Sequence, residues 1–250
     1  MITLENITAG YDGRTVLHGV NLTLRRNTLT CLVGPNGCGK STLLQVAAGL
    51  LPYTGGSAIV DKVPLTQLAD KQRALQIAYL PQSRNTPAIT ARRMVLHGRF
   101  PHLQVPRRYT AADDAAVESA LVQVGAAHLA HKDMTALSGG ERQRIYLAMA
   151  LAQDTDAILL DEPTTYLDID HQLQIMQLAR QLAAVGKAVC VVTHDLAGAL
   201  HTAHTVCVLA NGQNVCAGTP QQIYEQHALE QVFRIQAHCV DGHYFFTSKQ

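Results

Sequence analysis

The sequence lacks any excess of charge. Twenty lysines and arginines face nineteen aspartates and glutamates, for a formal net charge of +1. A protein that coats nucleic acid needs a strong basic surplus, so no nucleic-acid partner is expected. Long apolar runs are also missing. Stretches such as 146–152 and 188–192 fall far short of the ~18 residues that cross a bilayer. Residues 1–9 carry Glu5 and no cationic-then-apolar order, so no secretory leader is expected and the chain is placed in the cytosol. Six cysteines (Cys31, Cys38, Cys190, Cys207, Cys216 and Cys239) form no C-x-x-C pair and no finger-like spacing, which leaves reduced, structural thiols as the expectation. Neither an internal repeat nor a low-complexity linker interrupts the chain.

What is present is a globular composition. The 250 residues are 47% hydrophobic and 16% charged, enough for one large domain or two small ones, each with its own core. Period-2 stretches at 2–7 and 16–24, with a turn at Tyr11-Asp12-Gly13, predict strands. Apolar strands are expected at 29–33, 77–80, 157–160 and 189–192. Helices are expected over 40–49, 113–124, 139–152 and from about 168, the last with Ile169, Leu173, Met176 and Leu182 on one face. Strands alternating with helices predict an α/β protein with a largely parallel sheet. The helical stretch from about 86 to 136 reads as an insertion into that sheet domain. Of the twelve histidines, the i, i+3 pairs His128/His131 and His201/His204 lack a third ligand nearby, so packing or surface roles are expected rather than a metal site.

Chemistry concentrates at few places. Gly34-Pro35-Asn36-Gly37-Cys38-Gly39-Lys40-Ser41, followed by Thr42, has the spacing G-x-x-x-x-G-K-S between an expected strand and an expected helix. Its glycines let successive N–H groups curl around phosphate oxygens, and the helix start adds partial positive charge. Lys40 would reach the β- and γ-phosphates and the Ser41 hydroxyl would ligate Mg²⁺. The apolar run 157–160 ends in Asp161 and Glu162. Strand alternation would aim them apart, Asp161 toward the Mg²⁺ shell and Glu162 toward an attacking water. Leu137-Ser138-Gly139-Gly140-Glu141-Arg142-Gln143 opens another helix and offers a second anion-binding start, formed by Ser138 and the amides of Gly139 and Gly140.

With Gln82 and His194 each following a strand, these pieces resemble the ATP-binding cassette (ABC) ATPases, whose LSGGQ-type signature the 137–143 run matches with Glu141 at the third-last place. The resemblance covers the whole chain: phosphate loop, glutamine loop at Gln82, signature, Asp161/Glu162, the Leu167-Asp168 D-loop and the switch histidine His194, in the family's order. It implies a P-loop NTPase (RecA-like) core with an antiparallel β subdomain and an inserted α-helical subdomain. It implies Glu162, His194 and Gln82 as catalytic residues, with Ser41, Gln82 and Asp161 around Mg²⁺. Tyr11 would stack on adenine, and Asp168 would join the nucleotide-binding set. Two cassettes packed head to tail would place each ATP between the glycine loop of one copy and Ser138–Gly140 of the other. The resemblance therefore implies a second copy of the chain and separate integral membrane permease subunits. Indirectly it implies an extracytoplasmic solute-binding protein. The expected place is peripheral, on the cytoplasmic face of the plasma (inner) membrane.

Two stretches narrow the kind of cassette. Thr164-Thr165-Tyr166-Leu167-Asp168-Ile169-Asp170-His171-Gln172 after Pro163 resembles the PTTYLD-x-x-HQ run of ATPases that import iron-siderophores, haem and vitamin B12. Ile89-Thr90-Ala91-Arg92-Arg93-Met94-Val95 with Gly98-Arg99-Phe100-Pro101-His102 resembles that subfamily's T-V-R-E-L-V-x-x-G-R-x-P-H, departing at Arg93 (usually Glu) and Ala91 (usually Val). The alternatives are a metal-ion or other small-solute transporter ATPase and a non-transport cassette. The second usually carries two cassettes or a long coiled coil, and neither is present; a non-catalytic scaffold is opposed by the intact Glu162 and His194. One local bias remains. Lys71, Arg73, Arg84, Arg92, Arg93, Arg99, Arg107 and Arg108 lie in a stretch with no acidic residue, which reads either as a solvated face or as a surface for an acidic partner or anionic headgroups.

Overall fold

A computed structural model describes residues 1–82, 85–165 and 167–249. Arg84 of the basic stretch and Tyr166 of the 163–172 run lie outside the described residues. In chain order the elements are β1 (Ile2–Tyr11), β2 (Arg14–Leu24), β3 (Thr28–Val33), α1 (Lys40–Ala47), β4 (Gly55–Val60), β5 (Val63–Pro64), α2 (Asp70–Gln76), β6 (Ile77–Leu80), α3 (Ala91–Leu96) and α4 (Ala111–Gln123). They continue with α5 (Gly139–Ala152), β7 (Ala157–Asp161), α6 (Ile169–Ala184), β8 (Ala188–Val192), α7 (Leu196–Thr202), β9 (Thr205–Ala210), β10 (Gln213–Gly218), α8 (Pro220–Glu225), α9 (Ala228–Phe233), β11 (Ile235–Val240) and β12 (His243–Ser248).

A sheet in the order β10-β9-β3-β8-β7-β6 forms the centre, parallel throughout except for the β10–β9 hairpin. Its middle strands are unbroken apolar runs because both faces are covered: all five residues of β7 and of β8 are buried. Period 2 then divides them. Val189 and Val191 point into a core shared with α4, α5 and α6, while Cys190 and Val192 point into a second core. That second core lies under α1 and the antiparallel sheet β2-β1-β4-β5. The phosphate-loop segment and the loops after β6, β7 and β8 therefore emerge together at the carboxyl ends of parallel strands, where α/β sheets bind ligands.

One expectation changes. The α6 stripe holds only in part: Met176 and Leu182 are buried, but Ile169 and Leu173 are exposed because core packing begins at Ile175. His201 lies in α7, whereas His204 follows the helix and accepts the Leu29 N–H through Nδ1 at 2.9 Å. His128 lies in a 3-10 turn, and no cluster of three metal-capable side chains occurs among the described residues.

The basic stretch is the largest correction. Arg99 is buried at 9% exposure, with Nε donating to Asp113 Oδ1 at 2.9 Å and NH1 to the Ala152 carbonyl at 2.8 Å. Arg92 pairs with Asp114 and Glu118, and Arg73 with Asp70. Acidic side chains from outside the stretch thus pair with three of its eight cations, and Arg99 is a structural residue rather than a docking one. All six thiols are free, and burial pushes those of Cys31 and Cys207 up to about 12, consistent with inert core cysteines.

Candidate functional site

The glycine loop is shaped by close approach. A Cβ on Gly34 would lie 2.1 Å from the Leu209 carbonyl oxygen, and Gly39 caps α1 with φ +103°. Both positions need glycine. The first turn of α1 leaves its amides without intrahelical partners, pointing into a cavity of about 510 Å³. Asn36, Gly37, Gly39, Lys40, Ser41 and Thr42 line it on one side, and Gln82, Glu162 and His194 on the other. Lys40 Nζ is held over the loop by the Gly34 and Pro35 carbonyls, each at 2.9 Å. Cys38 is buried under the loop, its thiol pushed up chiefly by burial.

The two carboxylates at the end of β7 point apart as expected, by a different device. The strand ends at Asp161, and Glu162 takes a left-handed conformation (φ +50°) that swings its side chain away. A non-glycine residue held there costs about 1–3 kcal/mol, and such strain concentrates at functional sites. Asp161 accepts from Ser41 Oγ at 3.0 Å and from the Tyr79 hydroxyl at 3.3 Å. Burial raises its pKa, and those two hydrogen bonds oppose the rise. Glu162 accepts from Gln82 Nε2 at 2.6 Å and from Thr165 Oγ1 at 3.3 Å, and contacts His194 Nε2 at 2.5 Å. Residues eighty and thirty-two positions away thus meet on one carboxylate.

The donor set suits Mg²⁺ with a nucleotide. A hydroxyl and a carboxylate lie 3.0 Å apart beside the glycine loop, both hard oxygen donors, with room in the cavity for phosphates and water. Gln82 donates its amide nitrogen to Glu162, so Oε1 is the atom it could offer to a cation. Tyr11 borders an adjoining cavity of about 690 Å³ that shares Val16 and Gly37 with the first. Its ring is exposed and its hydroxyl donates to Gln45 Oε1 at 3.0 Å.

Ser138, Gly139, Gly140 and Asp168 do not line either cavity. Ser138 caps α5 in a reciprocal box: its Oγ accepts the Glu141 N–H at 3.2 Å and its own N–H donates to Glu141 Oε2 at 2.8 Å. Asp168 caps α6 and also contacts the His171 ring. Gln143 ties the signature helix to the 163–168 loop, donating to the Pro163 carbonyl at 2.6 Å. Ser138, Gly139 and Gly140 thus open α5 and Asp168 opens α6, two helix starts outside the glycine-loop cavity of the same chain.

The sequence profile of the ABC transporter family matches residues 17–165. This chain belongs to the ABC transporter family. Its relatives include the iron(3+)-hydroxamate import ATP-binding protein of Bacillus subtilis, 37% identical over 96% of this chain and 90% of that one. The ferric enterobactin transport ATP-binding protein of Escherichia coli is 36% identical (95% and 88%), and the hemin import ATP-binding protein of Myxococcus xanthus 39% (92% and 88%). Among solved structures, an inward-facing metal-chelate type ABC transporter superposes with TM-score 0.82 at 27% identity, covering 98% and 95% of the two chains. A dimeric ATP-binding cassette in a post-hydrolysis state with ADP and Pi superposes at 0.79 with 29% identity (88% and 99%). The P-loop NTPase fold of an ABC ATPase and an ATP-hydrolysing activity follow. ABC ATPases bind ATP, dimerise and work with a membrane permease. Among the described residues no helix of this ABC subunit is long and apolar enough to cross a membrane.

Tyr79, Thr165 and Gln143 are site neighbours that motif reading passed over. Thr165 stood in the quoted run beside Glu162. Tyr79 could have been found from register, since it pairs with Leu159 on the strand that carries Asp161.

Proposed function

We propose that this chain is the ATP-hydrolysing subunit of an importer for an iron chelate (siderophore or haem) or cobalamin, coupled to a separate permease. The observation that carries the hydrolytic part is the meeting of Gln82 and His194 on Glu162 beside the glycine loop. Support for the cargo class comes from the 163–172 run and from relatives named for hydroxamate, enterobactin and hemin uptake. One ATP-binding domain spans 1–250, with a helical insertion over about 86–136.

In this reading the backbone N–H groups of the loop from Asn36 to Thr42 and the Lys40 ammonium hold the phosphates, with Gly34 and Pro35 shaping the turn, and Tyr11 stacks on the base. Ser41, Asp161 and Gln82 Oε1 would hold Mg²⁺, which when bound offsets charge on the phosphates. Glu162 accepts the proton of the attacking water, and His194 and Gln82 fix its carboxylate. Closure of two chains head to tail would bring Ser138, Gly139, Gly140 and Asp168 of one copy to the nucleotide of the other. The subunit would sit peripherally on the cytoplasmic face of the membrane and serve an extracytoplasmic solute-binding protein through the permease.

The test is uptake. The subunit is purified with its permease, reconstituted in proteoliposomes and offered ferric hydroxamates, ferric catecholates, haem and cobalamin beside free metal ions. ATP-dependent accumulation of one chelate class is the expected result. Accumulation of a free ion, with no chelate transported, would overturn the cargo assignment.

A further inference from the structure

A further cavity lies away from the glycine loop and shares no lining residue with the two described above. Its volume of about 370 Å³ falls within the range of small-molecule sites. It opens between β2, the first residues of β3 and β9, and the turn from β10 into α8. Thr28 and Thr30 share one face of β3 by strand alternation, and Thr30 pairs in register with Thr205 at the start of β9. The glycine loop leaves the opposite, carboxyl end of β3. Only two buried side-chain polar atoms among the described residues lack a hydrogen-bond partner, and one is the Thr30 hydroxyl, in a residue 1% exposed. An unpaired buried hydroxyl bears its desolvation cost uncompensated.

The bland reading is a hydrated gap between two sheets. Its polar lining is one-sided, however. Asn21 Oδ1 already accepts the Asn6 N–H at 2.8 Å, and Gln222 Oε1 accepts the Thr219 N–H at 2.9 Å. The atom each could offer to a ligand is therefore its amide nitrogen, a donor. Arg25 adds a guanidinium. Its neighbour Arg26 is taken up by Asp61 and Asp156, whereas Arg25 has no carboxylate partner among the described residues. None of the residues lining the cavity is acidic. A bound cation would meet a like charge and no carboxylate, and a neutral polyol would use the donors without answering the charge. An oxyanion satisfies both.

We propose that this cavity binds a small oxyanion, a carboxylate or a phosphate compound. Arg25 supplies the charge contact, the amide nitrogens of Asn21 and Gln222 donate beside it, and the Thr30 hydroxyl gains its partner at the buried end. The bound anion would bridge β2 of the antiparallel sheet to β3 and β9 of the central one. The site goes beyond the ATPase and transport readings and does not rest on them, so its failure leaves both standing.

The test is thermal unfolding of the full-length chain titrated with inorganic phosphate, glycerol 3-phosphate, L-malate or, as the neutral control, glycerol. Ionic strength is held constant, and saturating MgADP keeps the anions out of the glycine loop. A saturable rise in Tm is expected with the phosphates or with malate and not with glycerol, and the responding arm identifies the anion class. At a hundred times the dissociation constant the rise should be about 5–11 °C. Arg25→Gln should weaken the fitted affinity on the order of 10-fold. Thr30→Val should raise the Tm before any anion is added, because a methyl group replaces an unpaired buried hydroxyl, and should also weaken the anion response. Basal ATPase should match the unaltered chain in both variants. No saturable response to any anion, or an equal one to glycerol, would overturn the proposal. So would an anion response that survives both substitutions, a result that places the anion elsewhere on the chain.

Discussion

Replacing Arg99 by methionine should destabilise the subunit severely without touching the phosphate cavity. The side chain is 9% exposed, and its partner Asp113 is 5% exposed. Nε meets Asp113 Oδ1 at 2.9 Å while NH1 closes the Ala152 carbonyl at the end of α5, so one guanidinium joins the segment before α4, α4 itself and α5. Methionine preserves most of the volume but leaves a buried carboxylate and an unfilled carbonyl. Breaking a buried pair from one side costs roughly 3–5 kcal/mol. For a chain of this length that corresponds to a fall of about 6–20 °C in Tm. The assay is thermal unfolding followed by circular dichroism, with and without ATP. Asp113 adds a pH signature. Burial favours its neutral form, but hydrogen bonds from Thr110 and the Arg99 charge outweigh this and hold its pKa below the ordinary carboxylate value. A depressed folded-state pKa contributes stability above the unfolded value that is lost as pH falls through the folded one. The deficit of Arg99→Met should therefore narrow in acid. Arg99→Met/Asp113→Asn should be less destabilised than the two single changes added together, because each single change strands a buried charge and the double change strands none. A Tm within 2 °C of the parent at neutral pH would refute the reasoning, on the order of 1 kcal/mol or less.

Asp161→Asn should raise the Tm of the nucleotide-free subunit at neutral pH while abolishing Mg²⁺-dependent turnover. Burial raises this pKa, so the ionised form is penalised in the fold above it, and the gain should shrink as pH falls through it. Ser138→Ala removes the α5 cap and should cost about 1 kcal/mol in denaturant unfolding. In the same variant, ATP binding to the single chain should persist, while turnover falls because the proposed composite site is incomplete. Lys40→Ala should weaken nucleotide affinity in equilibrium binding, since it deletes a proposed phosphate contact.

The hydrolytic half of this protein was legible because its signals are local. Gly34 to Ser41 carries its chemistry in eight consecutive residues, and β7 and β8 read as strands because burial on both faces leaves only apolar residues. Signals that depend on partners far along the chain were not legible. Eight basic residues read alike in sequence, yet Asp113, Asp114 and Glu118 of α4 fold against two of them, Arg92 and Arg99, and Asp70 against a third, Arg73. Strand β4 begins Gly55-Gly56-Ser57, a turn-like composition overruled by pairing with β1. Ile169 and Leu173 carry the right period for burial but precede the point where α6 meets the core. The separation of Asp161 from Glu162 was foreseen from strand alternation, yet the positive φ of Glu162 produces it.

The most direct test of the account is ATP turnover by the unaltered subunit and by Glu162→Gln, measured across a range of protein concentrations beside equilibrium ATP binding. An amide cannot accept the proton of the attacking water, and losing a general base costs typically 10²–10⁴-fold. The account predicts that loss with ATP affinity retained, and a specific activity of the unaltered subunit that rises with its concentration. Turnover near the parent rate in Glu162→Gln, or full activity independent of protein concentration, would contradict it.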